Sequence, residues 1–264
     1  MKTEVTIHDF CRLLRSIFDI LDKKRSKNPN KEPFIAKKFK MDPEYTTEGF
    51  LTAIYSLEDA ELAVGDFLEY GVEGVTKLKG NDGERYLRLY GVLNAVYMQY
   101  LTCRELIRMF KVQSLSEFEK DVDENRIIKL RNIAASHSVN YKVGKTRDYY
   151  KITRITLSGY CERLNVIGEN DTDYEYNLLK EVKDFQCLVN KWLFKITSKI
   201  VSLNFEESSK NSQEYLTELE KLKIILDGDA IIEVPKFGVV IGQIPTDNYT
   251  IVKIIETDEN LFEN

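Results

Sequence analysis

At 264 residues, with 43% apolar and 31% charged residues, the chain is long enough for a substantial core and too apolar for a disordered polymer. Its net charge of −5 excludes a general nucleic-acid-coating role while leaving room for a local basic patch. Four scattered cysteines (Cys11, Cys103, Cys161, Cys187) with no CxxC pair read as reduced thiols, two or three of them on buried helix faces. The two histidines, His8 and His137, lie too far apart in sequence to suggest a zinc site.

No basic segment followed by an apolar one opens the chain, so no signal peptide is read. No apolar run approaches the roughly 20 residues that span a bilayer, and the expected setting is the cytoplasm, with no membrane partner. A first helix is predicted over 5–25, where Phe10, Leu13, Leu14, Ile17, Phe18 and Leu21 recur at three- and four-residue spacings. A basic loop, Lys23 to Pro33, and an irregular stretch over 34–45 follow. The second helix, 47–70, aligns Phe50, Ile54, Leu57, Val64 and Phe67, and a Gly- and Lys-rich loop runs to Gly83. The third and longest, 84–111, is apolar on a broad face, as in the central helix of a bundle. Its tyrosines read as helix core rather than as a platform for stacked bases. Ser114-Leu115-Ser116-Glu117 has the form of a capping box, from which a fourth helix is expected to reach His137.

Beyond Asn140 the pattern changes. Tyr149 to Leu157 is rich in β-branched and aromatic residues and reads as a hairpin arm or extended segment. Helices are predicted over 175–204 and 215–226, with a polar linker, 206–212, between them. The runs 230–234, 238–241 and 250–255 are β-prone and separated by Pro235, Gly242 and Pro245. The fold class is thus mainly α, a helical bundle over 1–204 with a C-terminal appendage over 213–264 made of a short helix and a small β-rich segment.

Charge points to the chemistry. Between Arg126 and Arg154 stand eight Lys/Arg and one acid, Asp148, a local balance of +7 in a chain of −5. Inside this island lies Arg131-Asn132-Ile133-Ala134-Ala135-Ser136-His137. Cleavage of a phosphodiester needs a group that moves protons and a positive charge where the phosphorane becomes more anionic. An imidazole with a pKa of about 6.5 serves the first need, and a permanently charged, forked guanidinium serves the second. His137 and Arg131 supply both, with no metal or other cofactor required. Arg126, Lys129, Lys142, Lys145 and Arg147 are the candidates for contacts to nucleic-acid phosphates. On an ideal α-helix six residues span about 600°, which leaves Arg131 and His137 about 120° apart. Either the helix distorts before His137, or a two-fold axis completes the site with a second copy.

A helical bundle whose late helix ends in Arg131-Asn132 and, five intervening residues after the Arg, His137 resembles the HEPN superfamily. The resemblance implies a metal-independent endoribonuclease acting as a homodimer on RNA, with Arg131 and His137 catalytic and Asn132 supporting them. It further implies a toxin or phage-defence setting, with an antitoxin or regulatory protein as partner. Relatives that have lost activity imply the alternative, a non-catalytic dimerisation or partner-binding module.

Plainer readings stand beside these. His137 could cap a helix C-terminus, Arg131 could pair with Asp123 or Glu124, and the lysines and arginines at 142–147 could be a solvated loop. His8, near a helix start, reads as surface. Gly238 to Gly242 lacks the spacing of a phosphate-cradling loop. Ser158 to Cys161 has no second histidine to serve as base for a cysteine nucleophile.

Overall fold

Amphipathic repeats and polar caps account for most of the architecture. The computed structural model describes residues 4–23, 39–75, 81–136, 141–143, 146–168, 172–206, 208–234, 238–243 and 252–255. Helix α1 (Ile7–Lys23) opens where the backbone N–H and hydroxyl of Thr6 donate to Asp9 Oδ2, at 3.0 and 3.1 Å. This is the return half of a capping box. Helix α2 (Thr47–Tyr70) is capped by Thr46, whose Oγ1 accepts from the Gly49 N–H, and it stops at Gly71. Helix α3 (Asp82–Met109) is capped by Asn81 and runs through the centre of the molecule. The long helix α6 (Leu178–Asn204) and the shorter α7 (Lys210–Leu226) begin at Asn177 and Ser209, whose side chains accept from N–H groups three residues on.

The fourth predicted helix is two. Helix α4 (Leu115–Glu124) ends at Asn125, which turns extended (φ −80°, ψ 123°) and caps α5 (Arg126–Arg131) by accepting from the Ile127 N–H. The break lets Phe118 and Val122 on one side, and Ile127 and Leu130 on the other, all reach the core. Ser114 does stand at the start of α4, but at φ 87° its hydroxyl bonds no helix N–H, so the expected capping box is absent. An N-cap of that kind needs β-region backbone, and Ser114 is left-handed. After α5 the chain widens into a single π-helical turn, Asn132–Ser136.

Two small antiparallel units follow before α6. Strands β1 (Tyr141–Val143) and β2 (Thr146–Asp148) pair as a hairpin. Strands β3 (Lys151–Ile152), β4 (Leu164–Ile167) and β5 (Asp173–Tyr176) form a sheet in the order β3-β4-β5. The extended reading of 149–157 is realised only as β3 and a 3₁₀ turn, Arg154–Thr156. Residues 175 and 176, expected to be helical, complete β5 instead; Tyr176 is buried with Leu164 and Val166. The C-terminal runs form a third antiparallel sheet, β6 (Asp229–Val234), β7 (Gly238–Gln243) and β8 (Val252–Ile255), in that order.

The protein is therefore mainly helical, with a small three-stranded antiparallel sheet in its C-terminal region. One apolar core unites α1 to α7 and the β3-β4-β5 sheet. Helix α7, within the C-terminal appendage of the sequence reading, buries Tyr215, Leu219, Leu222 and Ile225 in that core, and its Tyr215 hydroxyl lies 2.9 Å from Ser16 Oγ of α1. Phe18, Phe39, Phe50 and Phe110 cluster with ring centroids 5.4–6.4 Å apart. Among the described residues no helix is long and apolar enough to cross a membrane.

Three of the four cysteines are buried and none is bonded to another. Burial pushes the Cys103 and Cys161 thiols up to about 12 and drives Cys11 higher still, helped there by Glu58. Such thiols carry almost no thiolate at neutral pH and react slowly. A disulfide reagent at pH 8 should therefore titrate one thiol promptly, the exposed Cys187, and all four only after unfolding. Two or more prompt thiols in the native protein would contradict this packing.

Candidate basic and aromatic site

The π turn joins two features. On one side of it stands Arg131, the last residue of α5. Its guanidinium carbon lies 3.8 Å from the centroid of the Tyr97 ring on α3, and Nη1 donates to Asn132 Oδ1 at 3.1 Å. The residue is half-buried, and no carboxylate among the described residues pairs with it. Glu124, one of its suggested partners, pairs with Lys120 instead, at 3.7 Å. A guanidinium against an aromatic face is weakly hydrated and keeps donors free at its edge. Asn132, also half-buried, uses its side chain to orient that edge.

The other expected site residues divide sharply. His137 and Lys145 lie outside the described residues. Lys142 and Arg147 occupy directly opposite positions in the β1–β2 hairpin. Arg126 is engaged within the fold. Its Nη2 donates to the Glu175 carbonyl at 2.6 Å, its Nη1 lies 3.4 Å from Glu181 Oε1, and its guanidinium lies 4.7 Å from the Tyr176 ring centroid. It fastens α5 to β5 and α6. Burial raises the Glu181 carboxyl above the usual carboxylate range, an effect that Arg126 partly offsets. Lys129 is exposed, with Nζ 5.4 Å from the Tyr174 ring centroid. His8 is exposed, as its sequence position suggested.

On the other side of the π turn lies an open cleft of about 400 Å³. Ile133 and Ala134 of the turn and Val166 of β4 give it an apolar floor, Tyr86 and Tyr90 line it from α3, and Tyr150, Lys151 and Arg154 line it from the β3 segment. Tyr86 and Tyr90 are tilted neighbours, with centroids 5.7 Å apart. Burial and the adjacent Tyr86 push the Tyr90 phenol up, so it stays neutral and adds no negative charge. Tyr150 packs on Tyr174 at 6.0 Å. Gly168 permits that pairing, since a methyl group there would come within 3.0 Å of the Tyr174 ring and 3.2 Å of the Tyr150 ring.

The cleft corrects the reading of α3. Tyr90 is 40% exposed, Leu87 is 72% exposed, and Tyr86, Tyr97 and Tyr100 are only partly buried. Periodicity counts tyrosine as apolar, whereas its hydroxyl favours a margin where one end meets water. Lys151 and Arg154 belong to the basic island, yet sequence alone gave no reason to single them out. Their place in the cleft depends on β3 pairing with β4, and those strands are too short to read from pattern.

Among the described residues no group of three His, Cys, Asp or Glu is placed to hold a metal. No protein-family model, curated protein or solved structure matches the chain.

Proposed function

We propose that the chain is a metal-independent endoribonuclease of HEPN type, working as a homodimer with a composite site. One observation supports this above the others: the Arg131 guanidinium is stacked on Tyr97, tethered by Asn132 and without a carboxylate partner among the described residues. A cation fixed in that way is ready for an anion that arrives with the substrate. In the proposed mechanism Arg131 stabilises the charge gathering on the phosphorane, while His137 takes the proton of the attacking 2′-hydroxyl or gives one to the leaving 5′-oxygen. Asn132 holds the guanidinium edge in place. The π turn that follows Arg131 supports the reading as well, because such turns are frequent at functional sites. Lys129, Lys142, Lys145 and Arg147 would hold flanking phosphates. The biological setting we propose is a toxin or phage-defence effector restrained by an antitoxin or regulatory protein.

The test is cleavage of single-stranded RNA in the presence of a chelator. Arg131→Ala and His137→Ala should each lower the rate by about 10²–10³-fold, the range found for single oxyanion-type donors and proton-transfer groups. Arg131→Ala also removes the stack on Tyr97, so its stability is measured beside its rate and should fall by no more than about 0.5–2 kcal/mol. Variants that cleave as fast as the parent would overturn the reading.

A second reading, a non-catalytic dimerisation or partner-binding module, is favoured by the face of α3 that carries Leu87, Tyr90 and Met98. These are 72, 40 and 37% exposed, and beyond Arg88, which pairs with Asp66 and Glu84, the helix carries no charged residue until Arg104. A parent protein that is dimeric and leaves RNA intact would decide for it.

A further inference from the structure

We propose that the cleft between α3, the π turn and β3 is a binding site for a nucleoside phosphate. The base stacks on the Tyr90 and Tyr86 rings, and the phosphate is held by Lys151 and Arg154. The nuclease reading does not use this cleft; the alternative shares Tyr90 with it, and Lys151 and Arg154, which the alternative does not use, separate the two.

Charge argues for an anionic ligand. Lys151 and Arg154 are exposed cations on one cleft wall, and neither has an acidic partner among the described residues. Among the described residues no acidic side chain lines the cavity. Glu84, the nearest acid in sequence to Tyr86, is drawn away to Arg88, with Oε1 3.4 Å from Nε. In a chain rich in acids, two cations at one cavity with no acidic partner among the described residues form a local anion site.

Ring chemistry narrows the class. Three tyrosines line the same cavity as the two cations, and Tyr90 offers a substantial part of its surface to solvent. Aromatic faces beside a positive groove accept any base, because every base has a π-face. An aliphatic carboxylate or inorganic phosphate would satisfy the cations and leave the rings unused. An acyl chain would use the apolar floor and leave the cations unused. The volume of about 400 Å³ sits within the roughly 300–1,000 Å³ of small-ligand sites.

The walls are held firmly enough for this. Tyr150 is packed on Tyr174 across Gly168, whose N–H donates to the Thr172 carbonyl at 2.8 Å. Lys151 stands opposite Ile167 in the β3–β4 register. Arg154 opens the 3₁₀ turn that follows, and that turn is closed by the Thr156 hydroxyl donating to the Thr153 carbonyl at 2.7 Å.

Calorimetric titration of the full chain with 5′-AMP, adenosine, inorganic phosphate and a five-residue single-stranded oligoadenylate RNA tests the proposal. AMP should bind at one site per chain, and more tightly than adenosine or phosphate. The double variant Lys151→Ala/Arg154→Ala should weaken AMP binding at least 10-fold and flatten its salt dependence. Tyr90→Ala should weaken AMP about 10-fold and leave phosphate binding unchanged. Arg131→Ala should bind AMP as the parent does, which separates this cleft from the proposed nuclease centre. If the oligonucleotide binds at least 10-fold tighter than AMP and competes with it, the ligand is a nucleotide within RNA. If it binds no tighter, the ligand is a free nucleotide. No AMP binding at millimolar concentration, or binding that the double variant leaves unaltered, would overturn the site. Both cations are exposed, so the double variant should melt with the parent, and its loss of binding could not be ascribed to unfolding.

Discussion

Trp192→Ala should destabilise the protein by about 3–5 kcal/mol, the range for removal of a large aromatic side chain from a core. Trp192 lies on α6, is 1% exposed, and meets Phe118 of α4 edge to face with centroids 5.2 Å apart. Phe118 in turn stacks on Tyr100 of α3 at 5.8 Å. The indole Nε1 donates to Asp121 Oδ2 of α4 at 3.0 Å, and Lys195 Nζ lies 3.9 Å from the ring centroid. One side chain thus ties the short helix α4 to both long helices. Helix α4 has only ten residues and is too short to persist in water alone, so these contacts stabilise it. Trp192→Phe keeps most of the ring and loses the hydrogen bond to the carboxylate. It should cost clearly less, about 1.5–3 kcal/mol for that bond and the smaller ring together. Urea midpoints of the two variants measure the difference. Equal midpoints for Phe and Ala would mean that the hydrogen bond, not the aromatic packing, holds α4.

The helices that pack by period were legible. In α1, α2, α3, α6 and α7 the apolar residues recur at helical spacing; the starts were less legible, since α6 begins after the cap Asn177 rather than at 175, and α7 begins after Ser209, inside the expected linker, rather than at 215. Legibility fails at a break that the pattern marks only by a slip of phase. On one ideal helix Ile127 would fall about 180° from Phe118, and Phe118, Val122, Ile127 and Leu130 all reach the core because the extended backbone of Asn125 divides the segment. Strands β3, β4 and β5 have two to four residues each, shorter than any window in which alternation can be counted. At the site, Arg131 and Asn132 were readable as a pair because they are neighbours. The 120° separation of Arg131 from His137 assumed 3.6 residues per turn. The π turn over 132–136 bonds i to i+5, puts more residues in each turn and removes the basis for that angle. The contact of Tyr97 with Arg131, and the meeting of Tyr86 and Tyr90 with Lys151 and Arg154 around one cavity, join segments far apart in sequence. No local pattern encodes them.

A comparison of two glycines tests how the β3–β5 segment is fastened to the bundle. Helix α2 ends at Gly71 (φ 65°, ψ −157°), in a region of backbone space that is essentially reserved for glycine. The turn containing Gly159 is pressed against it. The Val72 N–H donates to the Gly159 carbonyl at 2.8 Å, and the Tyr160 hydroxyl donates to the Glu69 carbonyl at 2.9 Å. A methyl group on Gly71 would stand 2.2 Å from the Gly159 oxygen and 2.8 Å from its carbon, both backbone atoms that no rotamer can move. Gly159 itself is at φ 55° with nothing within 4 Å of an added methyl. Gly159→Ala therefore meets only the left-handed backbone cost of about 1–2 kcal/mol. Gly71→Ala adds a backbone collision to a comparable strain and should exceed about 3 kcal/mol, or force the 158–161 turn off the end of α2. Displacement of that turn has its own signature, because residues 154–161 link the cleft to β4. Limited proteolysis should then cut Gly71→Ala near 158–163 under conditions that leave Gly159→Ala whole. If the two variants unfold at the same denaturant concentration and resist protease equally, the junction yields without cost and something else seats the sheet. If Gly71→Ala alone fails, the close approach of two backbones, possible only without a side chain at Gly71, is what positions Lys151 and Arg154 against α3.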